Sequence, residues 1–192
     1  MKRLGARLLS TGGPESVRSR SLDEVVKLSA FGSLALADVE SLWQTYHAEK
    51  PFQCGTSLRT PHALPERAAE SPQFVLPVIK KDVGFFVFFS EFNPAQQTLF
   101  MTPLDDYRKS PKYCQPWLSF QLFSDVPGVL LGQANFLKNL PKADAQALMD
   151  LYVNHYSDDD LYARHARVFN KNADRFDFAE AFPQVKPFLA KQ

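Results

Sequence analysis

An α+β fold, with a mostly antiparallel sheet of about five to six strands and helices packed on one of its faces, is predicted by three features of the sequence. Helical periodicity is confined to the two ends of the chain, while Phe- and Val-rich runs occupy residues 52–136. The links between consecutive runs are short, and a parallel return needs a crossover of a dozen or more residues. Neighbouring strands so linked pair antiparallel.

The first twenty residues stand apart from this pattern. Lys2, Arg3, Arg7, Arg18 and Arg20 are interspersed with Leu, Ser and Gly, and Glu15 is the one acid among them. That composition predicts a cleaved mitochondrial transit peptide over residues 1–20 and a single folded domain over 21–192. A disordered basic tail is the alternative.

Ser21-Leu22-Asp23-Glu24 has the form of a capping box, so a short helix carrying Val25, Val26 and Leu28 is expected, ended by Gly32 and Ser33. A second helix is expected from about Ala37 to Glu49, with Val39, Leu42, Trp43 and Tyr46 on its apolar face and His47 largely off it. Pro51 closes that helix. Residues 52–58 read as a strand, and 64–71 as one short helix inside a Pro-punctuated stretch.

The β signal is strongest at 73–79 and 83–92, joined by Lys80-Lys81-Asp82 as a hairpin. Further strands are expected at 98–102, 117–123 and 129–136, with a helical turn or loop over 104–110. From Lys142 the period becomes helical, and Ala145, Leu148, Met149, Tyr152 and Val153 form an apolar stripe. Asp158 starts another helix carrying Leu161, Tyr162, Ala166 and Phe169, and a last short one follows Asp177. The run Asp158 to Asp160 reads as helix capping and dipole compensation rather than as a metal site.

Lys and Arg number 22 against 21 Asp and Glu, so the chain lacks the basic excess of a nucleic-acid binder. No apolar stretch reaches the ~20 residues that span a bilayer, which excludes membrane insertion by a helix. Cys54 and Cys114 form neither a CxxC pair nor a disulfide framework. His47, His62, His155 and His165 include no pair at i, i+4, so no metal site is predicted. The glycines fall in no phosphate-cradling motif, and no catalytic or cofactor-binding residue is nominated.

In the strand over 83–92, Phe85, Val87 and Phe89 alternate with Phe86, Phe88 and Phe92, making it aromatic on both sides. A strand covered on both faces explains this; so does an apolar face held open for a partner. The second reading nominates Phe86, Phe88, Phe92, Trp117 and Phe120 as partner-binding residues.

The segments SLDEVVKLSAF (21–31), VESLWQTYHAEK (39–50), QFVLPVIKKDVGFFVFFSEF (73–92) and LFMTPLDDYR (99–108) together resemble the mitochondrial F(1)-ATPase assembly factor 1 family. The similarity continues through WLSFQLFSDVPGVLLGQANF (117–136) and ALMDLYVNHY (147–156), and rests on order and spacing rather than on one motif. The chain departs from the family's pattern at a shorter turn over 124–128 and at Gln133, where an acidic residue is expected.

The resemblance implies a molecular chaperone of the mitochondrial matrix. Its partner is the unassembled ATP synthase β subunit, kept from aggregating until α subunits replace it. No enzyme activity, cofactor, metal or small-molecule substrate is implied. Two other readings stand beside it: a permanent accessory or structural subunit of the ATP synthase or another mitochondrial complex, and an enzyme using Cys54 or Cys114 with a histidine.

Overall fold

The computed structural model describes residues 19–31, 33–60, 62–81 and 83–190, so nearly all of the expected presequence and Asp82 of the expected hairpin link lie outside them. Six strands form one sheet: β1 (Gln53–Arg59), β2 (Gln73–Lys80), β3 (Gly84–Asn93), β4 (Thr98–Pro103), β5 (Leu118–Phe123) and β6 (Val129–Phe136). Their order is β1-β6-β5-β4-β3-β2, and each neighbouring pair is antiparallel. The expected class is thus the observed one. From β2 to β6 the strands pair in sequence order, while β1 joins β6 across the chain.

The helices are α1 (Leu28–Phe31), α2 (Leu36–Ala48), α3 (Leu64–Glu70), α4 (Leu104–Lys109), α5 (Lys142–Ser157), α6 (Asp159–Leu161), α7 (Arg167–Lys171), α8 (Phe178–Ala181) and α9 (Lys186–Leu189). A π-helical turn, Tyr162–Ala166, joins α6 to α7.

Strand alternation sorts the apolar side chains into two clusters on opposite faces. The larger contains Leu76, Phe88, Phe92, Leu99, Phe120 and Ala134 from the strands, covered by Leu148, Met149, Tyr152 and Tyr156 of α5 and by Phe182. The smaller packs Val39 and Trp43 of α2, with Leu22 and Phe31, on Phe123, Val129 and Leu131. The N-terminal helices therefore lie on the face opposite α5. They cover it only at the β1-β6-β5 end.

Local chemistry explains the departures from the sequence expectation. The helix expected after Ser21 is split into a 3₁₀ turn, Leu22–Glu24, and α1. Glu24 accepts the Ser21 N–H at 2.8 Å, but Asp23 Oδ1 takes the Leu28 N–H at 3.1 Å and starts a new helix past Val25 and Val26. Both are β-branched and poor helix formers.

In α2 the buried stripe is Val39, Trp43 and His47, whereas Leu42 and Tyr46 are exposed. This reverses the expectation for His47. Its ring sits where a Cβ on Gly55 would come within 2.6 Å of Nδ1, so the glycine of β1 makes room for it. Trp43 Nε1–H donates to the Gly132 carbonyl at 3.0 Å and locks the helix onto the sheet.

The aspartate run behaves as expected of a cap. Asp158 accepts the Leu161 N–H at 2.8 Å, and Asp160 pairs with Arg164 at 3.0 Å.

Candidate interaction surface

Of the five partner-binding residues expected from the sequence, Phe86 is 56% exposed, while Phe88 and Phe92 are 3% and Phe120 0% exposed. Trp117 is half-buried and meets the Phe88 ring edge-on with centroids 6.0 Å apart. The structure thus brings Phe88, Phe92, Trp117 and Phe120 together as core beneath α5 and leaves Phe86 in solvent. α5 begins some twenty residues beyond Phe120 in the chain, so no pattern within β3 or β5 announces that cover.

Apolar surface is found at both edges of the sheet. At the β2-β3 hairpin, Val83 is 80% and Phe86 56% exposed. At the β1 edge, Leu42 and Tyr46 of α2 face solvent one helical turn apart, and Phe52, just before β1, is half-exposed. Lys50 Nζ lies over the Tyr46 ring at 4.8 Å. The Leu42-Tyr46 pair was readable in the sequence as apolar, but its exposure depends on which stripe of α2 meets Gly55.

Between these edges the face opposite α5 is mixed: Phe89 stacks on Tyr107 of α4 with ring centroids 4.2 Å apart, beside a mostly polar row. This cross-strand row runs Gln53, Asn135, Ser119, Phe100, Glu91 and Gln73. Gln53 Nε2 donates to Asn135 at 3.0 Å and Gln73 Nε2 to Glu91 at 3.2 Å, so these amides satisfy one another. Gln133, buried at 2% exposure, donates to Gln53 at 3.3 Å. A neutral amide suits that buried site, where a carboxylate would have to be desolvated.

A groove of about 400 Å³ runs along the β1 edge, walled by Gln44 and His47 of α2 and by Lys142, Gln146 and Asp150 of α5. Lys142 Nζ crosses its end to the carbonyls of His47, Ala48 and Lys50, at 2.8, 2.9 and 2.8 Å. A cation at the first residue of a helix opposes that helix's own dipole, and here the carbonyl end of α2 offsets the cost.

His47 Nδ1–H donates to the Trp43 carbonyl at 2.8 Å, which leaves Nε2 as an acceptor with no partner among the described residues. Burial lowers its pKa, and the nearby Lys142 and Lys50 charges add to that, so the ring is neutral at pH 7.

Burial also raises the pKa values of both the Cys54 and Cys114 thiols. Such thiols are protonated at neutral pH and are weak nucleophiles. Among the described residues no group of three or more His, Cys, Asp or Glu side chains is placed to hold a metal ion. No helix among them is long and apolar enough to cross a membrane.

No curated protein matches the chain. The profile described as ATP11 protein matches it over residues 8–181, and so includes every strand and α1 to α8. This is an assembly chaperone family and not an enzyme family; its role in ATP synthase assembly points to an ATP synthase subunit as partner and to a mitochondrial location. By the extent of that match, the chain belongs to the ATP11 protein family, the ATP synthase F1 assembly factor 1 family.

Proposed function

We propose that the protein is a chaperone of the mitochondrial matrix that binds the free β subunit of the F(1)-ATPase and keeps it from aggregating until α subunits take its place. In this reading residues 1–20 direct import and are removed, and residues 21–192 act as one domain. The observation that carries it is the family match over residues 8–181.

The surface supports the reading physically. An unassembled subunit exposes apolar area, and a temporary cover needs apolar contacts small enough to release. Phe86 and Val83 offer such a contact at the β2-β3 hairpin. Phe88, Phe92, Trp117 and Phe120 contribute by packing the core of the sheet that carries it.

Light scattering of β subunit diluted from denaturant tests this. Equimolar protein is expected to suppress the scattering. Unaltered aggregation at a tenfold excess would overturn the proposal, and stoichiometric retention in the mature synthase would replace it with a resident subunit.

A further inference from the structure

The two end strands of the sheet are finished differently. At β2, the Asn170 side chain accepts the Gln73 N–H at 3.1 Å and donates to the Gln73 carbonyl at 2.6 Å. Pro77 has no N–H to offer, and Val75 and Pro77 are buried. Proline and side-chain cover are the means by which proteins keep a sheet edge from pairing.

β1 carries none of these devices. Phe136 N–H donates to the Phe52 carbonyl and Thr60 N–H to the Gly128 carbonyl, each at 3.2 Å. Antiparallel ladders alternate bonded and outward-facing residues. Between those two anchors Cys54, Thr56 and Leu58 therefore bond to β6, and the N–H and C=O groups of Gln53, Gly55, Ser57 and Arg59 point away from the sheet. Among the described residues these outward groups have no intramolecular partner.

The groove between α2 and α5 has this edge as its floor. Outward donors and acceptors then recur every second residue, about 7 Å apart, which matches the backbone of another strand. On the α5 wall, Asp150 is exposed, accepts from Gln146 at 2.9 Å and has no basic partner among the described residues. Backbone pairing tolerates many sequences, and the carboxylate selects for a cation beside it.

We propose that the β1 edge takes up one extended segment of a client polypeptide as an added strand, bonded to the outward groups of Gly55, Ser57 and Arg59, with a Lys or Arg of that segment set against Asp150. The client rests on the chaperone reading above; the mode of binding does not.

The test uses the full chain and the blocked heptapeptide acetyl-Thr-Val-Thr-Lys-Thr-Val-Thr-amide, followed by amide hydrogen exchange. Binding is expected to slow exchange at Gly55, Ser57 and Arg59 by at least about tenfold, the scale of one or two hydrogen bonds. Ser57→Pro removes an outward N–H that no ladder bond uses, and is expected to weaken peptide binding at least about tenfold. Ser57→Thr keeps the N–H and should bind as the parent does.

The same peptide methylated at the amide nitrogens of all seven residues has no donor on either edge and should not bind, and it decides the matter even where Ser57→Pro fails to fold. Equal binding of the methylated peptide, or protection centred on Phe86 instead, overturns the proposal. So does protection of the three amides in the protein alone, as a second copy or the chain's own first 18 residues would give. With β subunit as client, failure of the parent protein to suppress aggregation counts against the chaperone reading. A folded Ser57→Pro variant as effective as the parent counts against the edge.

Discussion

Lys142 Nζ donates to the main-chain carbonyl of His47 at 2.8 Å, tying the first residue of α5 to the last turn of α2 across the open end of the sheet. Charge-assisted hydrogen bonds of this kind contribute more than neutral ones, and here three carbonyls share one ammonium. Lys142→Met keeps the stem and removes the charge. It should cost about 1–2 kcal/mol, an expected fall in Tm of about 2–8 °C for a chain of this size. Calorimetry of the two proteins checks this, and an unchanged Tm would show the strap to be idle.

How far the sequence foretold this arrangement differs from element to element. Alternation and short links were enough for β2 through β6, because each pairs with its neighbour in the chain. The partner of β1 was not legible, since its pairing with β6 spans some seventy residues and leaves no local mark. That same pairing makes β1 an edge. In α2 two apolar rows lie side by side on the helix, and the choice between them is made by Gly55, a residue of another element. The burial of Phe88 and Phe92 was one of two readings open for β3, and what decides it, the cover by α5, lies beyond every strand.

Phe86 and Phe120 separate surface from core. Phe86→Ser removes a ring that is 56% exposed, so stability should move by no more than about 0.5 kcal/mol. Phe120→Ala empties a fully buried site and should cost about 3–5 kcal/mol. Chemical denaturation gives both numbers, and the β-subunit aggregation assay gives the functional one. Phe86→Ser is expected to lose protection at unchanged stability; full protection would remove the hairpin from the contact surface.

Gly132 lies where β6 passes under Phe120. A Cβ there would come within 2.5 Å of the Phe120 ring and 2.9 Å of the Thr56 methyl. The ring is fully buried, so it has little room to retreat. Gly132→Ala should therefore destabilise the fold by about 1–3 kcal/mol although alanine is otherwise acceptable in a strand. Pairing it with Phe120→Leu should recover part of that loss in denaturant titrations. Additive losses in the double variant would show that the two sites do not touch.

All four histidines are held below their ordinary pKa, in each case chiefly by burial. Neighbouring cations add to this: Lys142 and Lys50 near His47, Arg67 near His62 and Arg164 near His165, where Glu180 and Asp160 pull the other way. His155 and His165 lie 5.5 Å apart, and His155 also packs on Phe182 at 4.9 Å. In the unfolded chain these rings take up protons near pH 6.5. In the folded protein they do so only at lower pH. Between the lowered values and about 6.5 the unfolded state therefore binds more protons, and stability rises with pH across that window. Urea titrations should show the protein losing stability as pH falls from 7 to 5.5, above the range in which most carboxylates titrate. His155→Phe replaces a titrating ring with one that matches its aromatic neighbours, so the variant's stability should depend less steeply on pH. A parent protein equally stable at pH 5.5 and 7, or one that gains stability on acidification, would show that these rings accept protons inside the fold as readily as outside it.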